Sequence, residues 1–320
     1  CSSNFTILYL LSSSPHLVTI ELSIYQSIIF NADLYSGMAL GIIQLILMLF
    51  LSSLILFNQN YDQSFLINKS SITRFPKNNL ISVLFYLVVL FFFIPFLILI
   101  KGLSNFNVQL ILSTGFLNSV SNSMMISILS VLLAVFTSLS ALFVYRSFLE
   151  KNNKLHKFTF ISITILLFIP SLTLSSIIFY LNFNLNFIFS NFLIVSVINS
   201  FFITPIVFVF LANKFIQNYL YESKQCLLFN ISPFIRMVKI DMPKIKNELI
   251  LIISAIFVLS LGDLTSVTIF NDSSFRTIPL FVSQLYNNYR YDDAFFILSI
   301  FIIFLFFVMY FPSRFLNKNA

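Results

Sequence analysis

Seven apolar runs, each near or beyond the roughly 20 residues a helix needs to cross the hydrocarbon core of a bilayer, fill this chain almost from end to end: 36–57, 80–100, 117–145, 158–180, 191–212, 248–270 and 294–311. Residues 1–11 have the character of the tail of an eighth. Composition removes the soluble alternative, because 58% of the residues are hydrophobic and 9% charged, whereas a soluble domain carries about 25% charged residues. In lipid every backbone polar group must find its partner inside the protein, which leaves helices and closed barrels, and runs of this length select helices. The expected fold class is all-α, a polytopic transmembrane helical bundle in contact with membrane lipid. The third run exceeds the hydrocarbon thickness, so its start at Asn118 and Ser119 belongs in the interface or the helix tilts.

The net charge of +7 resides between the runs. Loops 58–79, 146–157, 213–247 and 312–320 hold 15 of the 18 Lys and Arg, and the alternate loops hold only Lys101, Arg276 and Arg290. Positive loops stay in the cytoplasm; one assignment satisfies every loop and puts the C-terminus inside. Basic residues used in this way call for no nucleic acid partner. Cys1 and Cys226 are too few for a disulfide framework, and His16 and His156 have no nearby ligand at metal-binding spacing. With five Gly and no phosphate-cradling loop, the chain is expected to hydrolyse no ATP, to carry no catalytic residues and to bind no metal or cofactor itself.

An internal repeat orders the spans. A shift of 258 residues brings Thr19, Ile20, Leu22 and Gln26 onto Thr277, Ile278, Leu280 and Gln284, and Leu40 and Ile42 onto Leu298 and Ile300. On that reading 80–320 is a complete six-span half, 58–79 a cytoplasmic linker, and 1–57 the last spans of a preceding half. Roughly 180 residues or more would then precede the chain as given. The two units would be parallel repeats about an axis along the membrane normal.

The longest basic segment, 213–247, has the local signals of helix, elbow and short helix. Residues 214–229 can continue the preceding span. Asn230 tolerates the left-handed conformation that ends a helix, and Ser232-Pro233 supplies an N-cap and a first-turn proline. Pro243 ends the short helix or re-aims it. Helix 233–240 is expected to present Phe234, Met237 and Val238 beside Arg236 and Lys239, an apolar knob with a basic flank. Such a knob suits a groove on a soluble partner or, equally on physics, the anionic leaflet.

The run NISPFIRMVKIDMP, 230–243, resembles the cytoplasmic EAA loop of ABC-importer permeases, with Asn230, Ile240, Met242 and Pro243 at the places of Gly and Ile-x-Leu-Pro. Asn stands for the Gly, and Lys224-Gln225-Cys226 stands where Glu-Ala-Ala is usual, with Glu222 two positions early. The continuation VLSLGDLTSVTIFNDSSFRTIPLFVSQLYNNYRYDDAFFIL, 258–298, and the earlier SSSPHLVTIELSIYQSIIF, 12–30, resemble thiamine/thiamine pyrophosphate ABC-transporter permeases. The resemblance implies a MetI-like, type I importer fold with two fused six-span halves in a bacterial inner membrane. It also implies an ABC ATPase homodimer that carries the ATP and magnesium, and a periplasmic substrate-binding protein. The residues that would dock the ATPase are Asn230, Ser232, Pro233, Phe234, Arg236, Met237, Val238, Lys239, Ile240 and Pro243. Ferric iron or a polyamine are alternative substrates within that class, and an ion-coupled secondary transporter is the alternative outside it.

Four residues are candidates for a substrate path. Asp263 lies within the run 248–270, where a carboxylate costs about 2.5–3.5 kcal/mol unless it faces protein or water; it either touches a cationic substrate or caps a helix at a break weakened by Gly262. Tyr286, Tyr289 and Arg290, with Tyr291, Asp292 and Asp293, form an aromatic and charged segment on the outer side. It suits a cationic ring, and equally an interfacial aromatic belt with a loop ion pair. Pro95, Pro170 and Pro205 fall inside spans as kinks or hinges.

Overall fold

Between apolar helices in lipid, burial of hydrophobic surface gives no preference for one face, so the small and polar residues decide which face meets protein. In the computed structural model, which describes residues 19–57, 79–104, 106–150, 155–184, 190–270 and 275–317, this rule is clearest along the helix Thr114–Glu150. The expectations for 1–11, for the linker 58–78 and for His16 lie outside the described residues.

In chain order the helices are α1 (Ile20–Ile29), α2 (Leu34–Phe57), α3 (Asn79–Ser104), α4 (Val108–Ile111), α5 (Thr114–Glu150), α6 (Leu155–Thr164) and α7 (Ser171–Asn184). They continue with α8 (Asn191–Leu228), α9 (Pro233–Arg236), α10 (Met242–Lys244), α11 (Lys246–Leu261), α12 (Thr265–Ile269), α13 (Ile278–Asn287) and α14 (Tyr291–Asn317). No strand occurs among the described residues. Five of these segments are long and apolar enough to cross a membrane, and six are if the bent pair Leu155–Phe168 and Ser171–Asn184 counts as one span. The helix α3 covers the remaining run, 80–100. The chain is thus an all-α, multi-pass helical bundle.

The central helix is α5, whose buried stripe is Ser119, Ser123, Ser127, Ser130 and Ser138. Small side chains let the neighbouring backbones approach, and most of these hydroxyls return their proton to their own helix: Ser127 Oγ to Ser123 O at 2.8 Å and Ser130 Oγ to Ile126 O at 2.7 Å. The opposite stripe of Leu117, Met125, Ile128, Leu132 and Phe136 is exposed, as a lipid-facing surface should be. Against the serine stripe pack α8, its most extensive partner, and α11. One hydroxyl pair, Thr137 and Thr204, joins α5 and α8 directly at 2.8 Å.

Two expected spans are interrupted. The run 158–180 is not one straight helix: a 3-10 turn, Ile165–Phe168, leads into Ile169 and Pro170, and the chain turns by 89° before α7. Proline has no N–H to give the preceding turn and its ring clashes with it, so a break here is larger than an ordinary kink. The run 248–270 stops at Leu261, passes through Gly262, Asp263 and Leu264, and resumes as α12. Pro205, by contrast, sits inside the continuous α8.

Helices α1 and α13, which the 258-residue shift superposes, are both ten residues long and both follow an extended threonine. Their caps differ. Thr19 Oγ1 accepts from Leu22 N at 3.4 Å, but Thr277 makes no side-chain cap. Ser123 of α5 caps α13 instead, its Oγ accepting from Ile278 N at 2.8 Å, and Asn122 Nδ2 donates to Arg276 O at 3.1 Å. At the turn that follows α1, Asp33 accepts from Ser36 N at 3.2 Å, which holds its carboxyl below the usual range.

Helices α3 and α14 meet at Gly102. A Cβ there would lie 2.6 Å from the backbone oxygen of Phe295 and 2.5 Å from Ser299 Oγ. Backbone cannot rotate aside. Replacing Gly102 by Ala in the full-length protein should therefore separate the two helices and lower stability by about 1–3 kcal/mol, read as a reduced unfolding midpoint in detergent; an unchanged midpoint would show that the contact is not close.

Candidate functional site

The segment 213–247 forms in the order its residues dictate. As expected, α8 runs unbroken past the end of its apolar stretch to Leu228. Asn230 then takes φ 50°, the left-handed conformation anticipated for it. Ser232 has the extended backbone of an N-cap, though its hydroxyl makes no capping bond, and Pro233 occupies the first turn of α9. Beyond α9 the backbone widens into a π turn, Met237–Asp241, before α10. Pro243 does not end the helical path; it sits in the first turn of α10, and the change of direction comes at Ile245, just before α11.

The faces of this segment differ from expectation at two positions. Phe234 and Val238 are exposed as anticipated, the former by 68%, and Lys239 is exposed beside them. Met237 is buried and so is Arg236, so neither belongs to the outward knob. The exposed apolar side chains are instead Phe234, Ile235 and Val238 on one side of the elbow and Leu228 and Phe229 on the other, Phe229 by 76%.

An ion pair that the sequence analysis did not single out turns Arg236 and Met237 inward. Arg146, near the end of α5, is 2% exposed and bonds through Nη1 to Asp241 Oδ2, itself fully buried. The other guanidinium nitrogen, Nη2, donates to the carbonyl of Pro233 at 2.7 Å. Phe143 and Phe215 lie with ring centroids 5.5 Å from the guanidinium carbon. Arg236 adds a second cation, its Nε 3.8 Å from Asp241 Oδ2. Asp241 draws the π turn against α5, and Met237, one turn earlier on the same side, follows it into the interior. Arg146 belongs to a buried helix end, not to the solvated loop 146–157 in which its charge was counted. The sequence signal for this pair is thin: Asp241 is the sole acidic residue in 223–247, set among basic ones.

Two further ion pairs tie the same segment to its flanks. Lys244 pairs with Glu222 on α8, and Lys214 Nζ lies 3.4 Å from Glu248 Oε1 on α11. These are partly exposed and individually contribute little. They leave Phe234 and its neighbours as the free surface of an otherwise anchored loop.

The four substrate-path candidates do not converge. Asp263 lines a cavity of about 440 Å³ with Met48, Phe168, Ser171, Asn199, Phe202 and Ser260. Tyr286 lines a different, apolar one beneath Leu264 and Phe301, and Arg290 a third with Arg276 and Gln284. Tyr286, Tyr289 and Tyr291 do cluster, with edge-on ring contacts of 5.0 and 6.1 Å. Arg290 is held by Asp293, Nη2 to Oδ2 at 2.6 Å, the loop ion pair that the sequence allowed. Asp263 is not the N-cap foreseen for it, a place that Leu264 takes without a side-chain capping bond; its Oδ1 instead accepts from Thr265 N at 3.1 Å and from Thr265 Oγ1 at 2.7 Å across the Gly262 break. It also lines open space.

No protein-family model matches this sequence. Among curated proteins, the thiamine transport system permease protein ThiP of Haemophilus influenzae is 30% identical over 304 residues, 92% of this chain and 56% of the relative. Over nearly its whole length the chain is similar to thiamine transport permease proteins. The ThiP proteins of Brucella abortus and Brucella melitensis are 24% identical over 302 residues, again 92% of this chain and 55% of the relative. The chain spans about half the length of the curated relatives it matches.

Removing one partner of a buried ion pair leaves the other charged and unpaired, at a cost of about 3–5 kcal/mol. In the full-length protein, Asp241→Ala should lower the unfolding midpoint in detergent and speed tryptic cleavage at the exposed Lys239. The double substitution Arg146→Met with Asp241→Leu should recover most of that stability. Equal destabilisation by single and double variants would contradict the pairing.

Proposed function

We propose that this chain is the larger part of the translocation unit of an ATP-driven importer for thiamine or thiamine pyrophosphate. The observation that carries this reading is the anchored loop: exposed Phe234, Ile235 and Val238 on a segment whose other side is fixed to α5 by Arg146 and Asp241. An amphipathic helix resting on lipid needs no such buried anchor. A grip that must transmit force does. The similarity to ThiP over 92% of the chain supports thiamine as the substrate class.

On this reading the fold is MetI-like and the partner is an ABC ATPase homodimer, which holds the ATP and magnesium. Asn230, Ser232, Pro233, Phe234, Val238, Lys239, Ile240 and Pro243 form or shape the docking surface, and Arg236 and Met237 support it from behind. The docking loop and the C-terminus face the cytoplasm, and a periplasmic binding protein delivers substrate to the opposite face. Residues 1–57 end one half and 80–320 make up the other, related by the shift that superposes α1 on α13.

The mechanism follows from one rigid element. Closure of the ATPase dimer displaces the docking loop, and Arg146 passes the displacement to α5. Between Arg146 and Ser123 this helix covers roughly 35 Å at about 1.5 Å per residue. Toward its other end Asn122 and Ser123 hold Arg276 and Ile278 at the start of α13. Movement at the loop is therefore felt at the outer helix, which rocks the two halves between outward and inward states.

Introducing Asp at both Phe234 and Val238 in the full-length permease should weaken ATPase association about thirtyfold or more, the loss of an apolar hot spot. Membrane insertion should stay unchanged, since both side chains are exposed. Copurification of the ATPase at full yield would overturn the docking assignment. Met237→Asp should instead disturb folding of the loop itself.

A further inference from the structure

The cavity around Asp263 has the composition of a binding site. Its volume of about 440 Å³ falls within the roughly 300–1,000 Å³ of small-molecule pockets. Three walls are polar groups that the protein leaves incompletely used. Asp263 accepts from Thr265 and Ser266, yet among the described residues no Lys or Arg pairs with it, and none lines the cavity. Asn199, 3% exposed, has its Oδ1 2.7 Å from Ser266 Oγ and its Nδ2 without a partner. Ser260, also buried, has an unpartnered Oγ. A buried polar atom left unmade costs about 1–3 kcal/mol, and here two of them border the same space as an uncompensated carboxylate.

The remaining walls are flat or soft: Phe168, Phe202 and Met48. Aromatic faces and a thioether suit a polarisable ring, and a cation most of all. The start of α7 at Ser171 brings a helix N-terminus to the cavity, worth about half a positive charge at most. Asp263 lines the same space with no Lys or Arg beside it among the described residues, which favours a cationic ligand over an anionic one.

Its position supports the same conclusion. The break at Pro170 and the break at Gly262 abut, their hydroxyls Ser171 and Thr265 in contact. Non-helical backbone at this depth persists where it lines a cavity or is covered by protein. Met48 comes from α2, while the other lining residues come from 167–263, so the cavity lies between the spans of the first unit and those of the second.

We propose that this cavity binds a small flat organic cation in transit through the membrane. Asp263 supplies the counter-charge, Asn199 and Ser260 hydrogen-bond to the ring substituents and fix its orientation, and Phe168 and Phe202 cover its faces. The proposal rests on the importer reading above and gives it a binding step within the membrane.

The test uses the full-length permease with its ATPase and binding protein in proteoliposomes. Asp263→Asn, which keeps an acceptor for Thr265, should raise the KM for labelled thiamine about tenfold or more, the loss of a charge-assisted contact. Ser260→Ala should raise KM less. In a second arm, Met48→Cys in a background without other reactive thiols is labelled by a maleimide. Thiamine should slow that labelling, and an uncharged pyrimidine alcohol should not. Labelling unaffected by saturating thiamine, or an unchanged KM in Asp263→Asn, would overturn the site. The labelling arm requires no transport, so protection without import would sink the importer reading while sustaining the site.

Discussion

The buried pair of Arg146 and Asp241 is the constraint from which the shape of the loop end follows. Two charges removed from water need excellent geometry to break even, and this pair has it: Pro233 carbonyl for the second guanidinium nitrogen, two aromatic rings beside the plane, and Arg236 on the carboxylate. The contribution to net stability is modest. What the pair provides is specificity, since only one rotation of the π turn places Asp241 against α5. That rotation carries Arg236 and Met237 inward and leaves Phe234, Ile235 and Val238 outside. A hydrophobic pair in the same place would tolerate several rotations and define the outer surface less well.

Elsewhere the bundle relies on groups that need no partner across the interface. The serine stripe of α5 bonds mainly to its own carbonyls, as do Thr164, Thr173, Ser176, Ser200 and Ser283. Helices meeting through such faces approach closely yet make few directional bonds, so sliding or rocking between them breaks little. Directional contacts of α5 lie at the loop end around Arg146, at the pair Thr137 and Thr204, and around Ser123 and Ile278. An element fastened toward both ends and at one point between is suited to transmit motion.

What could be read from residues alone follows the strength of the local physics. The apolar runs became helices because lipid-length hydrophobic sequence has no other stable form, and the elbow at Asn230 formed because left-handed backbone after a helix favours Asn. The break at Gly262 formed as its neighbours implied, but Asp263 stands one residue before the N-cap, Leu264, and not at it. The right-angle turn at Pro170 was harder to foresee, since proline alone permits anything from a slight kink to a full break. The inward face of the loop was not legible, because apolar residues surround that helix and its period does not distinguish their sides. Arg146 and Asp241 are 95 residues apart, and nothing in one sequence links them. The candidates Asp263, Tyr286 and Arg290 lay close in the chain, but the break at Gly262 and the helix α13 directed them to separate cavities.

The two breaks and the long helix divide the labour of one machine. Helix α5 is continuous for 37 residues and carries no proline, so a push at Arg146 arrives at Ser123 with little lost to bending. Beside it the chain is interrupted at Pro170 and at Gly262, where short segments end on polar side chains. A moving rigid helix beside two fixed breaks changes the space between them more than it changes either break. The cavity at Asp263 is bounded by those breaks and by α8, which packs along α5 for much of its length. On the proposed mechanism, displacement of α5 and α8 together would alter the walls at Asn199 and Phe202, the groups proposed to orient and cover the cation.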